Sequence, residues 1–179
     1  MNDDLSRRFA ADVEDVHDFP KPGIVFKDLG KVWQNPALCA ELVQAMASEA
    51  QALEVDVVVG IESRGFLLGM PLALALRVPF VPVRKAGKLP GEVHRTAYGL
   101  EYGEAVVEMQ VGALRSGQRV LVHDDVLATG GTAAACKKLV EAAGAEVVGW
   151  SFLIELTFLN GRKAIALKDE SAHFVALSV

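Results

Sequence analysis

The sequence predicts an α/β protein with a mostly parallel central sheet flanked by helices. Apolar, β-branched runs alternate along the chain with segments of helical pattern, which is the order of repeated β–α units. Two of these runs, residues 55–61 and 120–122, are mostly apolar, as buried strands are. The composition, 51% hydrophobic with a mean hydropathy of +0.29, fits a compact protein with a buried sheet.

The chain is expected to form one domain, residues 1–179. A chain of this length can bury a sizeable core, and no internal repeat, low-complexity tract or linker divides it. No apolar run reaches the roughly 18 residues that span a bilayer, and the N-terminus lacks the apolar segment of a secretion signal. Cys39 and Cys136 lie in apolar helical surroundings, as reduced cysteines do. We therefore expect a cytoplasmic protein without membrane contact.

The net charge of −5 argues against nonspecific nucleic-acid binding. An anionic substrate must therefore be met by a local cluster of positive charge. Arg84, Lys85 and Lys88 form such a cluster directly after a predicted strand at residues 79–83. An isolated charge run is most often a solvated loop. Because this run follows a strand end, a binding role is favoured as much as a solvated loop.

The N-terminal part begins with an amphipathic helix over residues 3–16, where apolar residues recur at spacings of three and four. Prolines break regular structure at residues 19–23. The short apolar strand that follows, residues 24–28, has two interpretations. It anchors the N-terminal arm, which composition alone favours, or it forms a base-binding ledge around an aromatic side chain. A helix then starts at Asn35, an N-cap residue followed by proline, and runs to about residue 53.

Two strands of the sheet, residues 55–61 and 79–83, are predicted to flank an apolar helix. Arg64, close to a glycine just past the first of these strands, suits an anion site at the carboxyl edge of the sheet. Residues 88–103 show little periodicity, and such a length without regular structure predicts a lid or binding loop. Residues 104–110 alternate between apolar and polar and predict a strand.

The clearest functional pattern follows the strand that starts at Arg119. This strand ends in two adjacent carboxylates, Asp124 and Asp125, and a Thr-Gly-Gly-Thr loop then leads into a helix at residues 133–143. Converging backbone N–H groups at a helix start bind a phosphate well, and glycines let the backbone approach the ligand without a Cβ. Thr132 is also a reasonable N-cap. The order predicts a phosphate cradle whose acids accept hydrogen bonds from sugar hydroxyls or from water on a cation.

His123 precedes the acid pair. A packed strand residue is the favoured interpretation, but the imidazole is the other titratable group beside the acids, so a catalytic role stays open. After the cradle, the pattern predicts a strand at residues 147–156, a short helix or strand at 162–168 and a final strand at 174–178.

The stretch from Arg119 to Thr132 resembles the signature of the type I phosphoribosyltransferases, which bind phosphoribosyl pyrophosphate. The resemblance implies that Asp124 and Asp125 face the ribose hydroxyls. The implied 5′-phosphate site comprises Ala128, Thr129, Gly130, Gly131 and Thr132. The expected fold is therefore type I phosphoribosyltransferase-like. The N-terminal arm, with about residues 18–35 in the base-binding part, and the C-terminal tail form a small cap, and residues 85–103 form a mobile catalytic loop.

Further motifs stand in the order found in adenine phosphoribosyltransferases. They are Phe-Pro-Lys-Pro-Gly-Ile-Val-Phe-Lys-Asp at residues 19–28, Ser-Arg-Gly-Phe at 63–66, Val-Arg-Lys-Ala-Gly-Lys-Leu-Pro-Gly at 83–91 and Leu-Glu-Tyr-Gly at 100–103. With the cradle they are jointly specific, and the resemblance covers most of residues 18–158. It implies transfer of the phosphoribosyl group from phosphoribosyl pyrophosphate to adenine, which gives AMP and pyrophosphate in purine salvage.

At the base, the resemblance implies that Phe26 stacks on adenine while the backbone of Val25 and Lys27 reads its edge. This implication reverses the earlier preference for residues 24–28 as an anchor of the N-terminal arm. The family usually has arginine at the position of Lys27, and a backbone contact survives that change whereas a bidentate side-chain role does not. Glu101 resembles the loop carboxylate proposed to exchange a proton with the base, and Tyr102 would pack beside it or contact the phosphates.

At the pyrophosphate, the resemblance implies contacts from Arg64 and the backbone around Ser63, helped by Lys85 and Lys88 from the mobile loop. The implied catalytic residues are Arg64, Lys85 and Glu101. Mg²⁺ is the implied cofactor. It binds mainly through the pyrophosphate and ribose of the substrate, so no protein-only metal site is expected.

Arg84 resembles an arginine that reaches into the neighbouring subunit's site, which implies a homodimer. Ala128 stands where transferases for 6-oxopurines generally carry an aspartate, which favours adenine. A transferase for hypoxanthine, guanine or xanthine is one alternative, and a non-catalytic regulator that senses phosphoribosyl pyrophosphate is another. Such regulators usually need extra sequence for nucleic-acid contact. A nucleotide kinase is disfavoured because the chain has no Gly-x4-Gly-Lys-Ser/Thr run.

Overall fold

Strands and helices alternate along most of the chain, as the sequence predicts. The computed structural model describes residues 3–99, 104–165 and 173–179. The helices are α1 (Asp3–Asp12), α2 (Gly30–Trp33), α3 (Pro36–Ala50), α4 (Gly65–Leu76), α5 (Gly131–Ala142) and α6 (Gly161–Ile165). The strands are β1 (Glu14–His17), β2 (Val25–Asp28), β3 (Val57–Ile61), β4 (Phe80–Lys85), β5 (Val93–Gly99), β6 (Glu104–Gln110), β7 (Arg119–Leu127), β8 (Glu146–Glu155) and β9 (His173–Ser178).

Seven strands form the main sheet in the order β5-β6-β4-β3-β7-β8-β9. From β4 to β9 in this order, neighbouring strands run parallel, whereas β6 pairs antiparallel with both β4 and β5. The prediction of a mostly parallel sheet flanked by helices is confirmed. The carboxyl ends of β3, β4 and β7 meet at one edge of the sheet, which is where ligands bind in open α/β folds.

A hydrophobic core lies on each face of the sheet. On one face Val122 and Leu139 of α5 belong to the core, and on the other Phe9, Leu42 and Leu72 bring in α1, α3 and α4. Because both faces are covered, every residue of β3 is buried, which accounts for its apolar run. Each fully buried leucine or phenylalanine contributes about 1.5–3 kcal/mol to folding.

The N-terminal arm differs from its prediction in where its helix ends. Helix α1 stops at Asp12, and residues 14–17 form β1 instead of a last helical turn. Strand β1 pairs antiparallel with β2, with Val16 opposite Phe26, so the two strands form a hairpin separate from the main sheet. This hairpin is the N-terminal part of the predicted cap.

The C-terminal tail joins the main sheet. Its described part, β9, pairs in parallel with β8 at the sheet edge and packs against α1. The contribution of the tail to a separate cap is therefore not seen in residues 173–179, because pairing with β8 satisfies their backbone hydrogen bonds within the sheet. No helix in the described ranges is long and apolar enough to cross a membrane.

Strand β5 was not predicted. Residues 93–99 pair antiparallel with β6 along their whole length, so the expectation of irregular structure across residues 88–103 was wrong for this part. The strand lies at the sheet edge and none of its residues is fully buried, so its sequence carries polar residues where an inner strand would carry apolar ones.

Candidate active site

One cavity at the carboxyl edge of β3, β4 and β7 brings most of the predicted site residues together. Its volume is about 450 Å³. The lining residues are Ile24, Val25, Phe26, Lys27, Glu62, Ser63, Arg64, Lys85, Tyr98, Asp124, Asp125, Val126, Ala128, Thr132 and Leu156. The N-terminal hairpin therefore faces the loop after β7 across a single space.

The acid pair lies near the carboxyl end of β7, just before the cradle. Asp125 is only 4% exposed, and Oδ1 of Asp124 accepts a hydrogen bond of 3.0 Å from the backbone N–H of Asp125. Burial raises the pKa of Asp124 well above its usual range, and the charge of Asp125 raises it further. Burial also raises the pKa of Asp125, although the guanidinium of Arg64 opposes the rise. Hydroxyl donors from a sugar would relieve this cost because they stabilise the charged carboxylates.

The cradle loop starts α5 with a glycine. Gly130 is the N-cap residue with φ +80°, a left-handed backbone conformation that favours glycine. The backbone N–H of Ala134 donates to the Gly130 carbonyl at 2.8 Å. The earlier N–H groups of the first turn have no intrahelical acceptor, so they can serve a phosphate. Thr132 lies inside this turn, and its prediction as the N-cap was wrong because Gly130 makes the turn into the helix.

Phe26 forms the centre of the predicted base ledge on β2. The ring of Phe19 meets it nearly edge-on with 5.1 Å between centroids, and the Arg64 guanidinium carbon lies 4.8 Å from the Phe26 centroid. The Lys27 ammonium pairs with Asp15 across the hairpin at 2.6 Å, while the Lys27 carbonyl accepts a 3.4 Å hydrogen bond from Arg64. The hairpin therefore holds the Lys27 side chain, and the Lys27 backbone faces the arginine.

Arg64 connects the ledge to the acid pair. Its Nε lies 2.7 Å from Oδ2 of Asp125, an ion pair without hydrogen-bond alignment. The next residue, Gly65, begins α4, and a Cβ there would lie 2.9 Å from both Asp124 Oδ1 and the His123 carbonyl oxygen. Glycine thus lets α4 start against β7, which brings Arg64 over the acids. The contact of Arg64 with pyrophosphate stays a prediction.

Glu62 holds the end of β4. Arg84 and Lys85 were expected after the strand but belong to it, because β4 continues to Lys85 in its pairing with β6. The Glu62 carboxylate accepts hydrogen bonds from Nε and Nη2 of Arg84 at 3.2 and 3.1 Å and from the Lys85 backbone N–H at 2.9 Å. Burial acts to raise the pKa of Glu62, but the Arg84 and Lys85 contacts outweigh it, so the pKa is lowered. Arg84 also donates to the Lys88 carbonyl at 3.1 Å. Its reach into a neighbouring subunit stays a prediction.

His123 is a packed strand residue, as favoured. It is fully buried, its Nδ1 lies 3.1 Å from the Ser151 hydroxyl, and burial lowers its pKa to about 4. It does not line the cavity. The neutral imidazole therefore belongs to the core, beside Ser151 of β8 and Gly69 of α4.

The cavity lining includes ten of the residues predicted for the site. They are Val25, Phe26, Lys27, Ser63, Arg64, Lys85, Asp124, Asp125, Ala128 and Thr132. Five others are absent from the lining, namely Arg84, Lys88, Thr129, Gly130 and Gly131. Glu101 and Tyr102 lie outside the described residues.

Five lining residues were not predicted for the site. Ile24 and Val126 are direct neighbours of predicted residues, and tertiary contacts bring in Tyr98, Glu62 and Leu156. Tyr98 reaches the cavity from β5, with its ring 3.4 Å from where a Cβ of Gly131 would lie. Its signal was an aromatic residue inside a stretch predicted to be irregular. Glu62 and Leu156 directly follow β3 and β8, so their positions follow once these strands are placed side by side with β4 and β7.

The donor atoms of the cavity fit the way Mg²⁺ binds. In the ranges 3–99, 104–165 and 173–179, no group of three or more His, Cys, Asp or Glu side chains could hold a metal ion. Mg²⁺ keeps several waters and uses one or two carboxylates together with substrate phosphates. Asp124 and Asp125 supply such carboxylates at the cavity wall.

Known proteins resemble the chain over most of its length. The model of the phosphoribosyl transferase domain family matches residues 29–177. The chain is 50% identical over 165 residues to the adenine phosphoribosyltransferase of Synechococcus sp. (strain RCC307). The aligned residues make up 92% of this chain and 93% of the relative. The chain is 51% identical over 162 residues to the adenine phosphoribosyltransferase of Acidothermus cellulolyticus, covering 90% and 92%.

Solved structures give the same result. The adenine phosphoribosyltransferase of Rhodothermus marinus has a TM-score of 0.91 at 48% identity and covers 99% of this chain and 100% of that chain. The Saccharomyces cerevisiae enzyme, complexed with an imino-altritol bisphosphate and adenine, has a TM-score of 0.91 at 40% identity and covers 97% and 99%. The chain belongs to the adenine phosphoribosyltransferase family.

Proposed function

We propose that the chain transfers the 5-phosphoribosyl group of phosphoribosyl pyrophosphate to adenine and releases pyrophosphate, which yields AMP in purine salvage. One observation carries the proposal. A single cavity is lined both by the aromatic ledge around Phe26 and by the acid pair and cradle at Asp124, Ala128 and Thr132. A base and a ribose 5-phosphate bound at these two ends would have their reacting atoms between them.

The proposed chemistry needs little from the protein besides positioning and charge. Substitution at the anomeric carbon develops positive charge on the sugar and negative charge on the leaving pyrophosphate. Lys85 and Arg64, both in the cavity wall, are proposed to stabilise the departing anion. Asp124 and Asp125 are proposed to orient the ribose through its hydroxyls. Mg²⁺, held by substrate oxygens and water near this pair, would neutralise charge on the leaving group.

The base preference is assigned to the backbone of Val25 and Lys27, which would read the edge of the base, and to Ala128. Stacking on an aromatic ring binds any purine, so Phe26 supplies affinity more than selectivity. Ala128 places no carboxylate in the cavity wall, whereas the 6-oxopurine enzymes generally have one at that position. Glu101, proposed to exchange a proton with the base, completes the adenine assignment.

The test is pyrophosphate release with adenine, hypoxanthine, guanine and xanthine. We expect turnover with adenine and a kcat/KM about 100-fold lower with hypoxanthine, because a site made for one set of base hydrogen bonds leaves polar groups unpaired with the other. Turnover with hypoxanthine alone would support the alternative transferase. Binding of phosphoribosyl pyrophosphate without turnover on any base would support the regulator.

Phe26→Leu is a matched variant because it keeps an apolar side chain and removes the aromatic face. We expect it to raise the KM for adenine about tenfold, since stacking contributes about 1–3 kcal/mol per base. The KM for phosphoribosyl pyrophosphate should stay within about twofold of the parent value because the cradle is unchanged.

We further propose that the enzyme acts in the cytoplasm as a homodimer in which Arg84 contributes to the neighbouring site. Arg84 lies at the end of β4 with a side chain that is one-third exposed while paired with Glu62. Mixing an Arg84→Ala protein with an inactive cavity variant tests this: restored activity in the mixed sample supports a shared site.

A further inference from the structure

The segment after β8 lies directly behind the phosphate cradle. A Cβ at Gly161, the first residue of α6, would be 2.3 Å from the Ala128 carbonyl oxygen and 2.9 Å from Cγ of Leu127. From the other side, a Cβ at Gly130 would be 2.5 Å from the Gly161 carbonyl oxygen and 2.8 Å from Cβ of Ala164. The backbones of the cradle and of α6 therefore touch, and each uses a glycine at the contact.

An ion pair ties α6 to the strand beside the cradle. Nε and Nη2 of Arg162 donate to Oε1 and Oε2 of Glu155 at 2.7 and 2.6 Å. Glu155 is 4% exposed and ends β8, where it pairs with Leu127, the last residue of β7. The backbone N–H of Leu156 also donates to the Leu127 carbonyl at 2.9 Å. The buried carboxylate is thus fixed to the strand from which the cradle loop departs.

We propose that Glu155 and Arg162 are positioning residues that set the shape of the cradle through Gly161. The pair holds α6 against the carboxyl edge of the sheet, and the Gly161 backbone then limits where the Ala128 carbonyl and the turn at Gly130 can lie. The direction of the first N–H groups of α5 depends on this turn. The inference rests on the proposed function, which assigns the 5′-phosphate to residues 128–132.

The geometry of the pair makes arginine specific at this position. A guanidinium meets a carboxylate with two parallel N–H donors and so fixes direction as well as distance. A lysine ammonium supplies the same charge from a flexible stem with a single contact point. Arg162→Lys therefore keeps the charge next to buried Glu155 and removes only the angular restraint on α6.

The experiment measures ribose 5-phosphate binding by calorimetry, together with both KM values and kcat. For Arg162→Lys we expect ribose 5-phosphate binding to weaken about tenfold, as a cradle displaced by a fraction of an ångström would cause. The KM for phosphoribosyl pyrophosphate should rise in parallel while the KM for adenine stays unchanged.

Arg8→Lys is the matched control. Arg8 also pairs through two nitrogens with a glutamate, Glu41, but this pair is exposed and joins α1 to α3. It should leave all three binding values unchanged. If Arg162→Lys does not fold, the double variant Glu155→Gln/Arg162→Gln removes both charges without leaving a buried carboxylate unpaired, and the same weakening is expected.

Equal ribose 5-phosphate binding in the parent and Arg162→Lys would overturn the inference. So would a weakening that Arg8→Lys shares, or one that affects the KM for adenine equally, because either pattern reports general destabilisation. The proposed function fails differently. A parent protein that binds ribose 5-phosphate but transfers nothing to adenine loses the transferase assignment, while the comparison of variants still decides the positioning role.

Discussion

At the end of β7, Asp124 and Asp125 occupy positions that disfavour their charged forms. Burial raises the pKa of both carboxyls, and the charge of Asp125 raises that of Asp124 further. An acid whose pKa is higher in the folded chain than in the unfolded one lowers stability at neutral pH, and the loss is recovered as the pH falls through the folded pKa. The site is therefore held at some cost to the fold, as binding sites often are.

Asp124→Asn should separate the cost of this residue to stability from its role in turnover. It removes a disfavoured charge, so the free energy of unfolding in urea at pH 7 should rise by about 1 kcal/mol. Turnover should fall about 100-fold, because an amide is a weaker acceptor for the ribose hydroxyls than a carboxylate. A variant that loses stability, or that keeps full turnover, contradicts the role given to this residue.

His123 makes stability depend on pH. An unfolded histidine titrates near 6.5, whereas burial lowers the pKa of folded His123 to about 4. The unfolded chain therefore binds an extra proton between these values, and stability falls as the pH drops through this window. The contribution lost between pH 7.5 and pH 5 is about 2 kcal/mol.

His123→Gln should remove that part of the pH dependence. Urea unfolding of parent and variant at pH 7.5 and pH 5 measures the difference directly, since other titrating groups contribute equally to both. An unchanged slope in His123→Gln would show that the buried imidazole is not the group responsible.

At the scale of elements, the sequence was most informative where a pattern is contiguous. The buried strands β3 and β7, the acid pair and the Gly/Thr loop all lie in short runs whose residue types follow from local geometry. Strand β5 could not be predicted in this way, because an edge strand needs no alternation of apolar and polar residues. The contact of Gly161 with Ala128 escaped because it joins residues more than thirty positions apart and depends on the pairing of β7 with β8.

The start of α3 shows how a local signal is confirmed and extended. Asn35 accepts a 3.1 Å hydrogen bond from the Leu38 N–H, as an N-cap does, and its amide also donates to Asp12 at the end of α1. Asn35→Ala should lower the free energy of unfolding by about 1 kcal/mol. Turnover should remain at the parent level because α3 lies away from the cavity lining. Thermal unfolding with activity assays checks both expectations, and unaltered stability would contradict the cap's contribution.

For the molecule as a whole, the fold class was predictable and the assembly of the site was only partly so. Alternating elements predict a parallel sheet, but strand order decides which loops share an edge, and no single segment encodes that order. The position of β7 between β3 and β8 brings Arg64 to Asp125 and Leu156 to the cavity. The N-terminal hairpin closes the other side with Phe26. The cavity thus depends on the order of the strands in the sheet, although each of its motifs can be recognised in the sequence.

A structure of the protein with bound AMP would show whether base, ribose and phosphate share the cavity. We expect the phosphate oxygens to accept hydrogen bonds from backbone N–H groups of residues 129–132 and the ribose hydroxyls to donate to Asp124 or Asp125. The adenine ring should stack on Phe26 in the same cavity. A nucleotide whose phosphate lies away from this loop, or whose base leaves the Phe26 ring uncovered, would contradict this expectation.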